Sequence, residues 1–95
     1  MFGVVRRFQA DAATLQDFAQ RIQGVLPELQ QIQGFVSYNV VLSGDTLVSL
    51  SIYQDKAGAD QSTEVARQYA LERWSDLKLN APEITEGDVT AHGGA

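Results

Sequence analysis

Residues 35–54 read Phe35-Val36-Ser37-Tyr38-Asn39-Val40-Val41-Leu42-Ser43-Gly44-Asp45-Thr46-Leu47-Val48-Ser49-Leu50-Ser51-Ile52-Tyr53-Gln54. Two runs rich in β-branched and aromatic residues, Phe35 to Leu42 and Thr46 to Gln54, flank Ser43-Gly44-Asp45, a short glycine-containing link. That pattern predicts an antiparallel hairpin. The link is too short for the crossover that a parallel pair requires. Side chains alternate across a strand, so Val36, Tyr38, Val40 and Leu42 share one face and Phe35, Ser37, Asn39 and Val41 the other. On the next strand Val48, Leu50 and Ile52 oppose Leu47, Ser49, Ser51 and Tyr53. Both faces carry apolar residues, whereas a sheet with one face in water alternates cleanly between apolar and polar. Each face therefore needs a cover.

The segments on either side supply one cover. Phe2 to Phe8 reads as a strand with Phe2, Val4, Arg6 and Phe8 on one face and Gly3, Val5 and Arg7 on the other. Asp11 or Thr14 can cap the following helix, whose apolar stripe is Leu15, Phe18, Ile22, Val25, Leu29 and Ile32. Pro27 falls inside this stripe; because the phase is kept to Ile32, a kink at Pro27 is expected in preference to a full break, with Gly34 ending the helix. Asp55 caps a second helix from about Ala57 to Leu77, with Val65, Ala66, Tyr69, Ala70, Trp74 and Leu77 as a looser stripe. Asn80-Ala81-Pro82 breaks it, and Glu83 to Ala91 reads as a fourth strand weakened by Gly87. The closing His92-Gly93-Gly94-Ala95 is expected to be mobile. The order β-α-β-β-α-β defines an α+β, ferredoxin-like fold: an antiparallel four-stranded sheet with two helices on one face, in one domain spanning residues 1–95. The second face then calls for a second copy of the chain, and the sequence leaves open which face that is.

Composition narrows the functional classes. A domain of 95 residues buries only about 60–65% of the surface its unfolded chain exposes. With no cysteine and a lone His92, disulfides, thiolate metal sites and histidine clusters are closed off, so association is the remaining aid to stability. The net charge of -5, with scattered basic residues, argues against a nucleic-acid partner. No apolar run reaches the ~18–20 residues of a membrane span. Arg6 and Arg7 follow a very short apolar stretch, the reverse of a secretion signal, and a cytoplasmic protein is the expectation. No Ser-His-Asp, paired-carboxylate, phosphate-loop or metal-ligand spacing is present, which argues against hydrolases and nucleotide enzymes.

The segments Pro27-Glu28-Leu29, Gly34-Phe35-Val36-Ser37-Tyr38, Ile52-Tyr53-Gln54-Asp55-Lys56-Ala57-Gly58-Ala59 and Pro82-Glu83-Ile84-Thr85-Glu86-Gly87 resemble the antibiotic biosynthesis monooxygenase-like family of dimeric α/β barrels. The resemblance implies a homodimer whose sheets face each other, with a small cavity between sheet and helices in each subunit. It also implies oxygenases that need no cofactor, neither metal nor flavin, and hold an easily oxidised aromatic substrate among Asn, Trp, Tyr or His side chains. Trp74 is similar to the tryptophan those enzymes place beside the substrate. The chain departs from the family elsewhere: Ala70 stands where an Asn precedes that tryptophan by one turn. The haem-degrading branch has an Asn late in the first strand and a histidine on the second helix; here Arg6 stands at the former and the latter is missing, which argues against haem degradation.

Four residues are the candidate lining of such a pocket: Trp74, Asn39, Tyr69 and Arg6. Each has a plainer reading. A tryptophan on the inner stripe of a helix is more often core, and Tyr69, like Tyr53, can bury its ring and keep its hydroxyl at an edge. Asn39, if its face is covered, is more often paired with backbone than with a ligand. Arg6, among apolar neighbours, needs a partner; an ion pair with a carboxylate such as Glu86 is expected ahead of an anionic ligand. His92 titrates near neutrality, but its place before Gly93-Gly94 points to an exposed tail, so no catalytic residue is assigned. Two functions follow. One is a homodimeric, cofactor-independent monooxygenase binding a small apolar or aromatic molecule; the other is a non-enzymatic binding or interaction module with the same fold and a filled interior.

Overall fold

The structure, a computed structural model, describes residues 1–94. Strand β1 (Phe2–Gln9) is followed by helix α1 (Ala12–Arg21), a 3-10 turn (Ile22–Val25) and the short helix α2 (Leu26–Gln30). The hairpin β2 (Phe35–Ser43) and β3 (Thr46–Tyr53) comes next, then α3 (Lys56–Arg73) and β4 (Glu83–Asp88). The four strands form one antiparallel sheet in the order β2-β3-β1-β4, the ferredoxin-like arrangement expected. Ser43 pairs with Thr46, and Gly44 takes φ +59 in the turn between them, a left-handed conformation that favours glycine.

Local chemistry accounts for the helix ends. Asp11 accepts from the Thr14 backbone N–H at 3.2 Å and from its hydroxyl at 2.7 Å, fixing the start of α1. The kink expected at Pro27 is replaced by an earlier change of helix type. The Leu26 N–H donates to Gln23 O in the tighter 3-10 pattern, and Pro27 then sits in the first turn of α2. An unbroken α-helix would press the proline ring on that same Gln23 carbonyl, and tightening the preceding turn relieves the clash. The stripe nevertheless keeps phase: Leu15, Phe18, Ile22, Val25, Leu29 and Ile32 are all buried. Gly34, at φ +88, turns the chain into β2, and its carbonyl accepts from Gln54 N at 2.7 Å. Asp55 caps α3 through a 3.0 Å bond from Gly58 N.

Three larger differences separate the structure from the sequence reading. α3 ends at Arg73, short of Leu77, because Trp74 leaves helical angles as it closes the helix (φ -119). β4 ends at Asp88, short of Ala91: Asp88 already pairs with Phe2, the first residue of β1, so the residues after Val89 have no strand to join. The tail expected to be mobile is described as far as Gly94, and Ala95 lies outside the described residues. The third difference is a bulge between Phe35 and Ser37, which brings Phe35 opposite Tyr53 and packs its ring there edge-on at 5.9 Å. Phe35 therefore joins Tyr38 and Val40 on the core side.

All helices pack on the face of Val4, Leu47 and Tyr53, each 0% exposed. The register places Val5, Val41, Val48, Leu50 and Ile52 on the opposite face. No helix covers them; Val41 is 62% exposed, while Ile52 is buried. Among the described residues no helix is long and apolar enough to cross a membrane. Removing the α3 cap with Asp55→Ala should lower the unfolding free energy by about 1 kcal/mol in urea titration, with the sheet spectrum unchanged.

Candidate functional site

Along α3 the positions turned towards β1 recur at steps of three and four: Thr63, Ala66, Ala70 and then Trp74 at the helix end. Two of these are alanines. Their methyl groups do not reach the sheet, and a cavity of about 400 Å³ remains. Arg6 and Phe8 from β1 and Ile84 from β4 line the sheet side, and Leu77, Leu79 and Pro82 of the α3–β4 connection close one end. Trp74, 8% exposed, stands edge-on to Phe18 and to Tyr69, each at 5.0 Å, and Phe18 stands edge-on to Phe8 at the same distance. The indole is thus held by rings on two sides while also lining the cavity.

Arg6 is the charge in this apolar setting. Its guanidinium donates to Thr63 Oγ1 at 2.8 Å, a bond that spans the cavity from β1 to α3. The expected pair with Glu86 does not form. The register puts Ile84 opposite Arg6 and Glu86 opposite Val4, one cross-strand pair further along on the same face, where Glu86 is exposed. Burial lowers the Arg6 pKa from its ordinary value, and Tyr53, Tyr38 and Glu86 act weakly in the opposite direction. Burial also pushes the Tyr38 phenol up to about 12, against the pull of Arg6. Beneath the helices the hydroxyls of Ser51 and Tyr53 are buried with no hydrogen-bond partner among the described residues.

Of the four candidates, Trp74 and Arg6 meet in the cavity. Tyr69 does not line it; its ring packs on the other side of Trp74, beneath the Arg73 guanidinium at 5.3 Å. Asn39 is a correction: it pairs with Leu50 on the uncovered face, exposed and across the sheet from Trp74. The sequence alone does not say which hairpin face the helices take, and they take the one opposite Asn39, Ser37 and Val41. His92 is exposed beyond β4. The sequence reading does not single out Thr63, Ala66 or Ile84, although the signal for Ala66 is present. Alanines on an inner helix stripe mark a place where the core is left unfilled.

The raised phenol of Tyr38 has a consequence for stability. Its folded pKa lies above the ordinary value of 10, so its contribution is fully present below pH 10 and is lost as pH rises through about 12. Wild-type protein should show a tyrosinate absorbance step near that pH, absent in Tyr38→Phe, and should lose more stability across the window than the variant does.

Solved structures share this fold. A protein of unknown function from Nitrosomonas europaea matches with a TM-score of 0.79 at 16% identity, covering 99% of this chain and 93% of its own. A variant of SnoaB, a cofactor-independent oxygenase from Streptomyces nogalater, matches at 0.73 and 16% identity over 96% of this chain and 94% of its own. A variant of MhuD with two manganese protoporphyrin IX molecules bound per active site matches at 0.80 and 9% identity over 100% of both chains. Identities this low speak for the fold alone. No curated protein matches the chain in sequence. The antibiotic biosynthesis monooxygenase family model matches residues 1–65, from β1 into α3, taking in Arg6 and Thr63 of the cavity and stopping before Trp74. On that match, which covers well over half of its length, the chain belongs to the antibiotic biosynthesis monooxygenase family.

Proposed function

We propose that this protein binds a small aromatic or apolar molecule between sheet and α3 and oxidises it with dioxygen, without a cofactor. The observation that carries the reading is the cavity of about 400 Å³ beside Trp74, walled mainly by apolar side chains with the half-buried Arg6 as its inner charge. A flat substrate would lie along the indole, against the apolar side chains of Phe8, Leu77 and Leu79. The chemistry available to such a site is that of an easily deprotonated substrate. An anthrone, through its enolate, passes electrons to dioxygen; its methylene carbon becomes a carbonyl, one oxygen atom enters the product and the other leaves as water. The protein's part is to bind, orient and stabilise the substrate's anionic form.

A second reading has its own support. The cavity lining contains no Asp, Glu or His, so no side chain there is an ordinary general base. On that ground the same pocket would serve a binding module that holds its ligand unchanged. Oxygen uptake by purified protein with a panel of anthrones and quinols separates the two. The oxygenase reading expects turnover above the uncatalysed rate, abolished in Ala70→Phe, which fills the cavity. Ligand binding with no uptake above background would leave the binding module.

The uncovered sheet face supports a homodimer. Val5, Val41, Val48 and Leu50 form an apolar surface on the side away from the helices, and burying such a surface against a second copy would supply stability that a chain of this size lacks. Light scattering at micromolar concentration should give about twice the monomer mass. Leu50→Asp should shift the protein to monomer and lower its melting temperature. A compact wild-type monomer would refute the dimer.

A further inference from the structure

We infer that the molecule bound in the Trp74 cavity is an apolar organic acid whose carboxylate is held by Arg6. The inference rests on the proposed ligand pocket and names the class of ligand it takes.

Three observations converge. The Arg6 guanidinium has five N–H donors in a planar fork. Its one side-chain bond among the described residues is to Thr63, a neutral hydroxyl. Among the described residues no carboxylate lies within ion-pair distance of Arg6: their four ion pairs belong to Arg21, Lys56 and Arg67. Glu86, Tyr38 and Tyr53 influence its charge only at longer range. A half-buried arginine in an apolar cavity without an anionic partner bears a desolvation cost that a bound anion would offset. In addition, the cavity's polarity runs against that of the whole molecule. The chain has 12 acidic and 7 basic residues, yet the cavity is lined by Arg6 and Arg67 and by no acid. Arg67 is exposed and paired with Glu64, which leaves Arg6 as the inner positive group. Finally, the walls suit a flat apolar body. Phe8, Ile84 and Leu79 offer surface without hydrogen-bonding groups and Trp74 adds its indole face, so among the inner lining residues the charge that can meet an anion is the Arg6 guanidinium. A planar carboxylate matches its fork in two parallel bonds.

Calorimetric titration of the intact protein at neutral pH with 2-naphthoate and with 2-naphthamide tests this. The two share an aromatic body and differ in charge. The expected result is that naphthoate binds at least roughly ten-fold more tightly, as a charge-assisted pair implies. Arg6→Gln should erase that difference. Arg6→Lys should retain part of the preference, and Ala70→Phe should lose both ligands. Near-UV circular dichroism reports whether each variant keeps its core. If Arg6→Gln does not fold, a shift of the Arg6 Nε resonance in wild-type protein on adding naphthoate, absent with naphthamide, carries the same test. Equal affinity for the two ligands, or a naphthoate preference that survives Arg6→Gln, overturns the acid assignment and leaves the pocket standing. Binding of neither ligand overturns both.

Discussion

Everything in this fold depends on the contact between the helical stripe and one face of the sheet. Leu15, Phe18, Ile22, Val25, Leu29 and Ile32 press on Val4, Leu47 and Tyr53, and nearly all of these side chains are fully buried. Burying a large apolar side chain stabilises by about 1.5–3 kcal/mol relative to exposure, so this layer supplies most of the drive to fold. It also fixes which side of the hairpin meets solvent. The stripe survives a proline because α1, the 3-10 turn and α2 follow one another with right-handed helical angles at every junction.

The cavity exists where that layer thins. α1 and its continuation supply large side chains, while the part of α3 over β1 supplies Thr63, Ala66 and Ala70. The gap is bounded by Trp74, which Phe18 and Tyr69 hold in place. Arg21 adds a tie from the opposite side, bonding both Asp17 of α1 and Asp76 just past α3. The end of α3 is therefore positioned by aromatic edges and an exposed ionic link, and the cavity inherits its shape from them.

Most of the fold was legible in the sequence because its signals are local: period two in the strands, period three to four in the helices, and Asp, Gly and Pro at the joints. What escaped was relational. The bulge at Phe35 to Ser37 follows from cross-strand pairing and not from β2 alone, so the face of Phe35 was misjudged. The sequence does not separate Asn39 from Trp74, because two similarly apolar faces give no hint of which one the helices choose. Arg6 was expected to pair with Glu86, and the register that sets Ile84 opposite it is a property of two strands together. Trp74 and Arg6 stand out in the sequence because each is chemically odd for its place, a large indole at the end of a stripe and a charge among phenylalanines and valine, and both line the cavity.

The two alanines of α3 have a wider meaning. Ala66 is absent from the buried core and Ala70 only packs against its edge, yet both line the space between α3 and Arg6. Pocket size is thereby uncoupled from the packing that keeps the chain folded. Under the proposed ligand-binding function, a larger or smaller guest would be met by exchanging one side chain of α3 with the sheet left unchanged.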